Sequence, residues 1–516
     1  MRQIGFKNFR KFELFPEMDF SPITILVGEN NAGKSTVVKA ILSVLEFLSS
    51  QYFQMEKEGN DKAVLEHQFF FNKSYFAHIG TFARALYNRA KEDIITFTIT
   101  ESNIKFEIEI IGDRTDEEAI SGKIQKISMN ILKWNIDISF DFIKDDMQAV
   151  FHSTPNPLYR PTDDDDFIRI GEKSDKNELE NYFKSVPTDA ELHTSITGRT
   201  GAMIGGPLTG WLLERFSSRI SATISRKNID DFKEGKNKFK DVSKEMMTFL
   251  EKNRDILDRY GLIGMIYSLR MGNNAVEYIY AHAVTQTVIY SAKDTNDYFV
   301  KTIHEFANCR IQKESKIHKF IIKWMKVFNI GYNYDINSVG GEAHVVKILD
   351  KENFPVNLAD KGMGSIQLMV LLFRLATKMA DRMSPTNRTG STIIVEEPEQ
   401  NLHPKLQSKL ADLFFELNKM YGFNFIIETH SEYLVRRSQV IVAKENKKTS
   451  KDQKKKEWTN PFKVYYFPAD GYPYDMEYAT DGYFEKSFGK GFFNVASELS
   501  LDLDRVEQDI CDEGQD

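Results

Sequence analysis

Short unbroken apolar runs alternate along this chain with stretches of helical period, and the apolar runs end in glycine or charge. Ile23-Thr24-Ile25-Leu26-Val27 is a short, largely β-branched run without a charged residue, which predicts a buried strand. Val37, Val38, Ile41, Leu42, Val44, Leu45 and Leu48 then recur at helical spacing. Ile393-Ile394-Val395 and Phe425-Ile426-Ile427 predict two more buried strands, with a helix over Lys405 to Met420 between them. A different pattern fills Ile94 to Ile99 and Ile104 to Ile110. There apolar and polar residues alternate from Ile95 on, which predicts strands with one polar face and an antiparallel subdomain beside a parallel core. Ile317, Phe320, Ile321, Trp324, Met325 and Phe328 form a helical core stripe. Trp211 to Leu250 reads as mostly helical and sustains no heptads, so no long coiled coil is expected.

The polar residues that end the buried runs carry the chemistry. After Val27 comes Gly28-Glu29-Asn30-Asn31-Ala32-Gly33-Lys34-Ser35-Thr36, a full G-x-x-x-x-G-K-[ST] match between a strand and a helix. In that context the backbone N–H groups of Gly28, Asn30, Asn31, Gly33 and the helix start, through Thr36, can surround phosphate oxygens. Lys34 is then expected to reach the β- and γ-phosphates of ATP, and Ser35 to hold Mg²⁺. The second run ends in Glu396-Glu397-Pro398-Glu399. A phosphoryl-transfer site needs one acid for the Mg²⁺ shell and one carboxylate to orient the attacking water. Glu396 is expected in the first role and Glu397 in the second, while Glu399 reads as an acid at a helix start. The third run ends in Glu428-Thr429-His430-Ser431. A fourth segment, Asp360-Lys361-Gly362-Met363-Gly364-Ser365, opens an apolar helix over Leu368 to Leu375. The backbone N–H groups of Gly362, Gly364 and Ser365 are expected to be free there; taken alone, it is an ordinary glycine-bounded helix start.

Composition adds limits. The chain has 516 residues and a formal net charge of -7, which excludes wholesale electrostatic binding to nucleic acid but not a local basic face. Its two cysteines, Cys309 and Cys511, have no metal spacing and form no disulfide framework. The N-terminal stretch is charged and aromatic and has no apolar targeting core, and no apolar run is read as long enough to span a bilayer. The reading is a soluble cytoplasmic protein with no membrane partner. Four regions follow: residues 1–150 with the P-loop and a β subdomain, a mainly helical insertion over 151–275, a second lobe over 276–440, and 441–516 as a basic loop and aromatic tail. Within the insertion, Asp163 to Asp166 is read as a solvated acidic loop rather than a metal site. Lys444 to Trp458 is read as a solvated loop, with contact to phosphate backbones as the alternative.

The ordered set GENNAGKST, DKGMGSIQ, IIVEEPEQNLHP and IIETHS resembles the ABC-class ATPase heads, which include SMC proteins, recombination ATPases and OLD-like (overcoming lysogenization defect) proteins. EEPEQNLHP, the N-terminal FKNFRKFE, NKSYFAHIGTF and the tail GYFEKSFGKGFF are similar to the OLD-like branch. The resemblance implies an α/β, ABC/SMC-head-like P-loop ATPase fold with an antiparallel β subdomain. It implies that His430 contacts the γ-phosphate and water. It also implies a head-to-tail dimer, in which Gly364 and Ser365 reach the nucleotide of the partner and Asn401 and His403 lie at the dimer contact. Gln68 is a weak candidate for a glutamine loop, since its Phe-rich neighbourhood could equally be core.

Neither the Toprim acids of OLD-type nucleases nor a His-Asn-His cluster is visible, so no intrinsic nuclease is expected. The resemblance points to an ATPase that regulates a separately encoded effector, a nuclease by analogy with Septu-type and PARIS-type systems, in bacterial anti-phage defence. DNA or a phage component is a further partner it allows. A DNA-repair or chromosome-maintenance ATPase is the alternative, and the missing coiled coil counts against it. A transporter subunit is disfavoured by the insertion and the Glu-Glu-Pro-Glu motif.

Overall fold

The computed structural model describes residues 2–50, 53–54, 62–63, 68–73, 77, 79–101, 104–144, 146–159, 190–195, 277–280, 289–291, 297–340, 343–383, 392–451, 458–489, 492–495, 498–503 and 505. The chain divides into two compact units. One holds residues 1–19 and 36–274, the other 20–35 and 275–516.

The first unit is built on a nine-stranded antiparallel sheet. Its path runs Ala190–Ser195, Asp146–Phe151, Ile136–Asp141, Ser121–Ile131, Ile104–Ile111, Ile94–Glu101, Gln3–Phe9, Phe12–Asp19, and Gln68–Phe70 adds to the edge of Ser121–Ile131. Burial alternates along Ile104–Ile111, as a sheet with one covered face requires. Register places Phe97 opposite Ile108 and Ile99 opposite Phe106, so the buried positions of neighbouring strands share one face. Aromatic rings fill that face: Phe6 stacks on Phe15 at 4.5 Å, and Phe97 meets Phe9 at 5.0 Å and Phe69 at 5.4 Å. Both alternating runs are therefore the strands their pattern predicts.

The second unit carries a six-stranded sheet in the order Glu277–Tyr280, Thr392–Glu396, Asn424–Glu428, Ile23–Gly28, Phe462–Phe467, Tyr474–Asp475. All neighbours pair in parallel except the last. Every residue of Ile23–Gly28 is buried, which fits a strand covered on both faces. Helix Pro404–Tyr421 links the second strand to the third, and helix Glu432–Lys451 links the third to Phe462–Phe467. The first of these has Pro404 at its opening turn, His403 as N-cap, and Gly422 at φ 63° as its left-handed end. A smaller antiparallel sheet (Tyr290–Ser291, Ala343–Leu349, Asn333–Val339, Pro355–Asn357) accompanies helices Tyr298–Asn308 and Lys316–Val327. The stripe Ile317, Phe320, Ile321, Trp324, Met325 and Phe328 is buried there.

Several expectations are corrected. Lys444 to Lys451 is not loop but the last turns of helix Glu432–Lys451, with Lys448 paired to Glu445; the stretch after Lys451 up to Trp458 lies outside the described residues. Among the described residues one helix, Met363–Met383, holds a stretch, Met363–Asp381, that is long and apolar enough to cross a membrane by length and composition. Its apolar residues, Leu368 to Leu375 among them, are core of the second unit. Helix Met363–Met383 also starts five residues before Leu368. The strand Phe462–Phe467, read as part of a basic and aromatic tail, is instead the direct neighbour of the P-loop strand. The aromatic tail has a packing role: Phe488 and Phe492 meet Tyr466 edge-on at 5.6 Å and 5.1 Å. Of the 151–275 insertion the structure describes residues 151–159 and Ala190–Ser195, the latter a strand; Asp163 to Asp166 and Trp211 to Leu250 lie outside the described residues.

Candidate active site

Parallel pairing brings the ends of three strands to one edge of the second unit's sheet. Glu396 lies in register with Glu428, and Glu428 with Leu26, one step before the loop that starts at Val27-Gly28. The carboxyl edge of an open parallel sheet is where ligands bind in such folds, because loops and helix N-termini converge there.

The loop has the shape its sequence predicts. Gly28 has φ 155° and passes so close to the neighbouring strand that an added Cβ would lie 2.2 Å from the Phe467 carbonyl oxygen. Gly33 has φ 107° and Asn31 φ 60°, so the loop turns through conformations that glycine and asparagine tolerate. Lys34 is buried, and its Nζ donates to the carbonyls of Gly28 (3.1 Å) and Glu29 (2.9 Å). Burial lowers its pKa, while the charges of Glu428, Glu397 and Glu399 oppose that shift. Asn30 and Asn31 are exposed, Gly33 and Ser35 half-buried, and Thr36 is buried in the first turn of helix Lys34–Ser50. A cation and a helix N-terminus together make an anion site.

The acids occupy distinct environments. Glu396 accepts a short hydrogen bond from the Tyr278 hydroxyl. Glu397 follows the strand end with φ 42°, its N–H bonded to the Glu428 carbonyl at 2.7 Å and its carboxylate held by Gln400. Non-glycine residues in this region are strained and collect at functional sites. His430 Nε2 lies 3.6 Å from Glu397 Oε1. Burial, then the charge of Lys34, lowers the His430 pKa, and Glu397 opposes both. The Pro398–Asn401 segment is a turn, and the following helix starts only at Pro404. Glu399 is therefore not an acid at a helix start. It is buried and accepts the backbone N–H of His430 at 2.6 Å, and its pKa is raised by burial.

Glu428 was missed by the motif reading. It is 3% exposed and accepts a hydrogen bond from the Ser35 hydroxyl at 2.8 Å. Burial and the nearby Glu396 push its pKa up to about 8, against the pull of Ser35 and Lys34. Its signal was legible: FIIE, like IIVE, is a buried run that ends in a carboxylate.

Gly364 and Ser365 lie in the first turn of helix Met363–Met383. An added Cβ on Gly364 would come within 2.5 Å of the Asn401 carbonyl, and Asn401 Nδ2 reaches Gln367 Oε1 at 3.3 Å. The Ser365 N–H is bonded to the Gly362 carbonyl at 2.8 Å, so it is not the free donor expected. Gln68 is exposed at a strand end, with Phe69 beside it in the core of the first unit.

Among the described residues no group of three or more His, Cys, Asp or Glu is arranged to hold a metal alone. The site fits Mg²⁺ in another way. Mg²⁺ takes few protein ligands and keeps waters and phosphate oxygens. Ser35 offers a hydroxyl, Glu396 a carboxylate, and one buried oxygen of Glu428, Oε2, has no donor in the structure.

The match to known proteins follows this geometry. The AAA ATPase domain family (AAA_15) matches residues 1–435, and the chain belongs to that family. It is an α/β P-loop ATPase that binds nucleotide. No curated protein matches the chain in sequence. Solved structures similar to it include the Smc head domain of Pyrococcus furiosus with an extended coiled coil, bound to the C-terminal domain of ScpA (12% identity, 84% of this chain and 91% of that one, TM-score 0.32). A second is the SmcHead bound to the C-winged helix domain of ScpA (12%, 84% and 91%, TM-score 0.33), and a third the SMC head domain from Thermotoga maritima (9%, 85% and 92%, TM-score 0.29).

Proposed function

We propose that the chain binds ATP with Mg²⁺ and hydrolyses it in a head-to-tail dimer, and that this cycle regulates a separately encoded effector, a nuclease, in anti-phage defence. The observation that carries the hydrolytic part is the gathering of Lys34, Ser35, Glu396, Glu397 and His430 around the ends of three adjacent parallel strands. Lys34 gives up the Gly28 and Glu29 carbonyls for phosphate oxygens. Ser35 and Glu396 seat the metal, which when bound offsets charge on the phosphates. Glu397 orients water, and His430, 3.6 Å away, steadies the carboxylate and the γ-phosphate end. Gly364 and Ser365 act on the partner's nucleotide, and the Asn401 turn that Gly364 packs against links that contact to the acids. The effector and the defence role rest on the OLD-like resemblance of EEPEQNLHP, FKNFRKFE, NKSYFAHIGTF and GYFEKSFGKGFF.

Replacing Glu397 by Gln tests the site. The variant keeps ATP affinity and hydrolyses roughly 10²-fold more slowly, the usual loss for a positioned base. Turnover equal to wild type overturns the assignment. Purification of the tagged chain with its genetic neighbours tests the role: a bound nuclease supports it, a bound repair protein replaces it with chromosome maintenance.

A further inference from the structure

We propose that Glu428 is a second carboxylate of the metal seat: it holds the Ser35 hydroxyl in the metal-free protein and, with Glu396, accepts hydrogen bonds from the waters of a bound Mg²⁺. The inference rests on the reading of this site as one for Mg²⁺ and nucleotide.

Three observations carry it. Parallel register sets Glu428 level with Glu396 on the adjoining strand, so two acids end side by side at the carboxyl edge. One Glu428 oxygen accepts a hydrogen bond from the Ser35 hydroxyl at 2.8 Å, which ties this acid to the residue that follows the P-loop lysine. Among the described residues the other oxygen has no hydrogen-bond donor although the side chain is only 3% exposed; its polar neighbour is the Glu396 carboxyl, a like charge unless the two share a proton. A buried carboxylate oxygen with no donor is costly. It is costlier beside a second carboxylate whose own donor, Tyr278, comes from the strand on its far side. A structural strut would be expected to satisfy both of its oxygens. A hydrated divalent cation supplies what is missing: water donors for the open oxygen and positive charge between the two acids. Ser35 would offer its oxygen to Mg²⁺ while its hydroxyl goes on donating to Glu428, as it does in the metal-free protein.

The test is calorimetric titration of a non-hydrolysable ATP analogue into wild type, Glu428→Gln and Glu428→Asp, in EDTA and across a Mg²⁺ series. The Gln variant is expected to bind the analogue in EDTA as wild type does, or slightly more tightly. It should need about tenfold more Mg²⁺ for half-maximal enhancement, the usual scale for a lost outer-shell partner. The Asp variant, which keeps charge on a shorter arm, should fall between, and it stands in if the Gln variant fails to fold. A Mg²⁺ midpoint unchanged in the folded variants overturns the proposal. Wild type that binds the analogue without any Mg²⁺ dependence overturns the functional reading, and this inference with it.

Discussion

The two sheets treat charge in opposite ways. In the antiparallel sheet of the first unit, acids and bases lie along the strands on the open face, as Lys105 paired with Glu17 shows. In the parallel sheet of the second unit the three adjacent strands that end at the site are uncharged within, and charge collects at their carboxyl ends: Glu396 level with Glu428, and Glu428 and Glu397 near Lys34. Alternation spreads polar groups over a surface where water screens them. Two-sided burial expels them to one edge, where Lys34 and Glu428 are buried beside one another and beside further acids. The first arrangement makes a stable scaffold, the second a reactive site.

Substitutions can break that contrast. The largest effect is expected from Lys34→Ala, which removes the cation at the strand ends. ATP affinity should fall at least about 100-fold, as for a lost charge-assisted contact to phosphate. Equal affinity by calorimetry would falsify the placement of phosphate at this loop. Ile108→Ala, on the buried face of the antiparallel sheet, should do the reverse. It costs about 2–5 kcal/mol of stability in thermal or denaturant unfolding. ATP affinity of the folded protein should stay within about twofold, well under 1.4 kcal/mol. A large affinity loss there would mean that the scaffold and site are not separable in this way. Glu399→Ala sharpens the picture within the site. It strips the His430 N–H of its buried acceptor and should cost about 1–3 kcal/mol. Glu399→Gln, which can still accept, should recover most of that stability. If both variants are as stable as wild type, the Glu399 contact is not structural.

The smallest effect is one of pH. The Glu428 carboxyl is raised in the folded protein from 4.5 to about 8 by burial and by Glu396. Between those values the folded state holds the proton more than the unfolded state does. Stability of the nucleotide-free protein from this group is therefore greatest below the unfolded value and falls as pH rises toward the folded one. Melting temperature measured from pH 5 to about 8 should decline less steeply in Glu428→Gln than in wild type. Parallel curves for the two proteins would show that Glu428 does not titrate in this window.

The local pattern alone determined the elements: the alternating runs, the buried runs that end in charge, the strand, loop and helix around Lys34, and the stripe from Ile317 to Phe328. Those signals are local because burial on one face or both writes a period of two, a period near 3.6, or no break at all into consecutive residues. Tertiary structure decided what lies beside what. Thirty-two positions separate Glu396 from Glu428, and only parallel strand pairing puts them level. Phe462–Phe467 falls in a stretch read as basic loop and aromatic tail, and its place next to Ile23–Gly28 adds a reason why residue 28 must be glycine: a Cβ there would meet the Phe467 carbonyl. Glu399 carries the same carboxylate as Glu397 two residues earlier. The turn at Pro398 buries one under His430 and leaves the other at the edge facing it. Sequence spacing encodes periodicity, whereas pairing between distant strands is set by the collective packing of the core, and the chemistry of an acid depends on its neighbours in space.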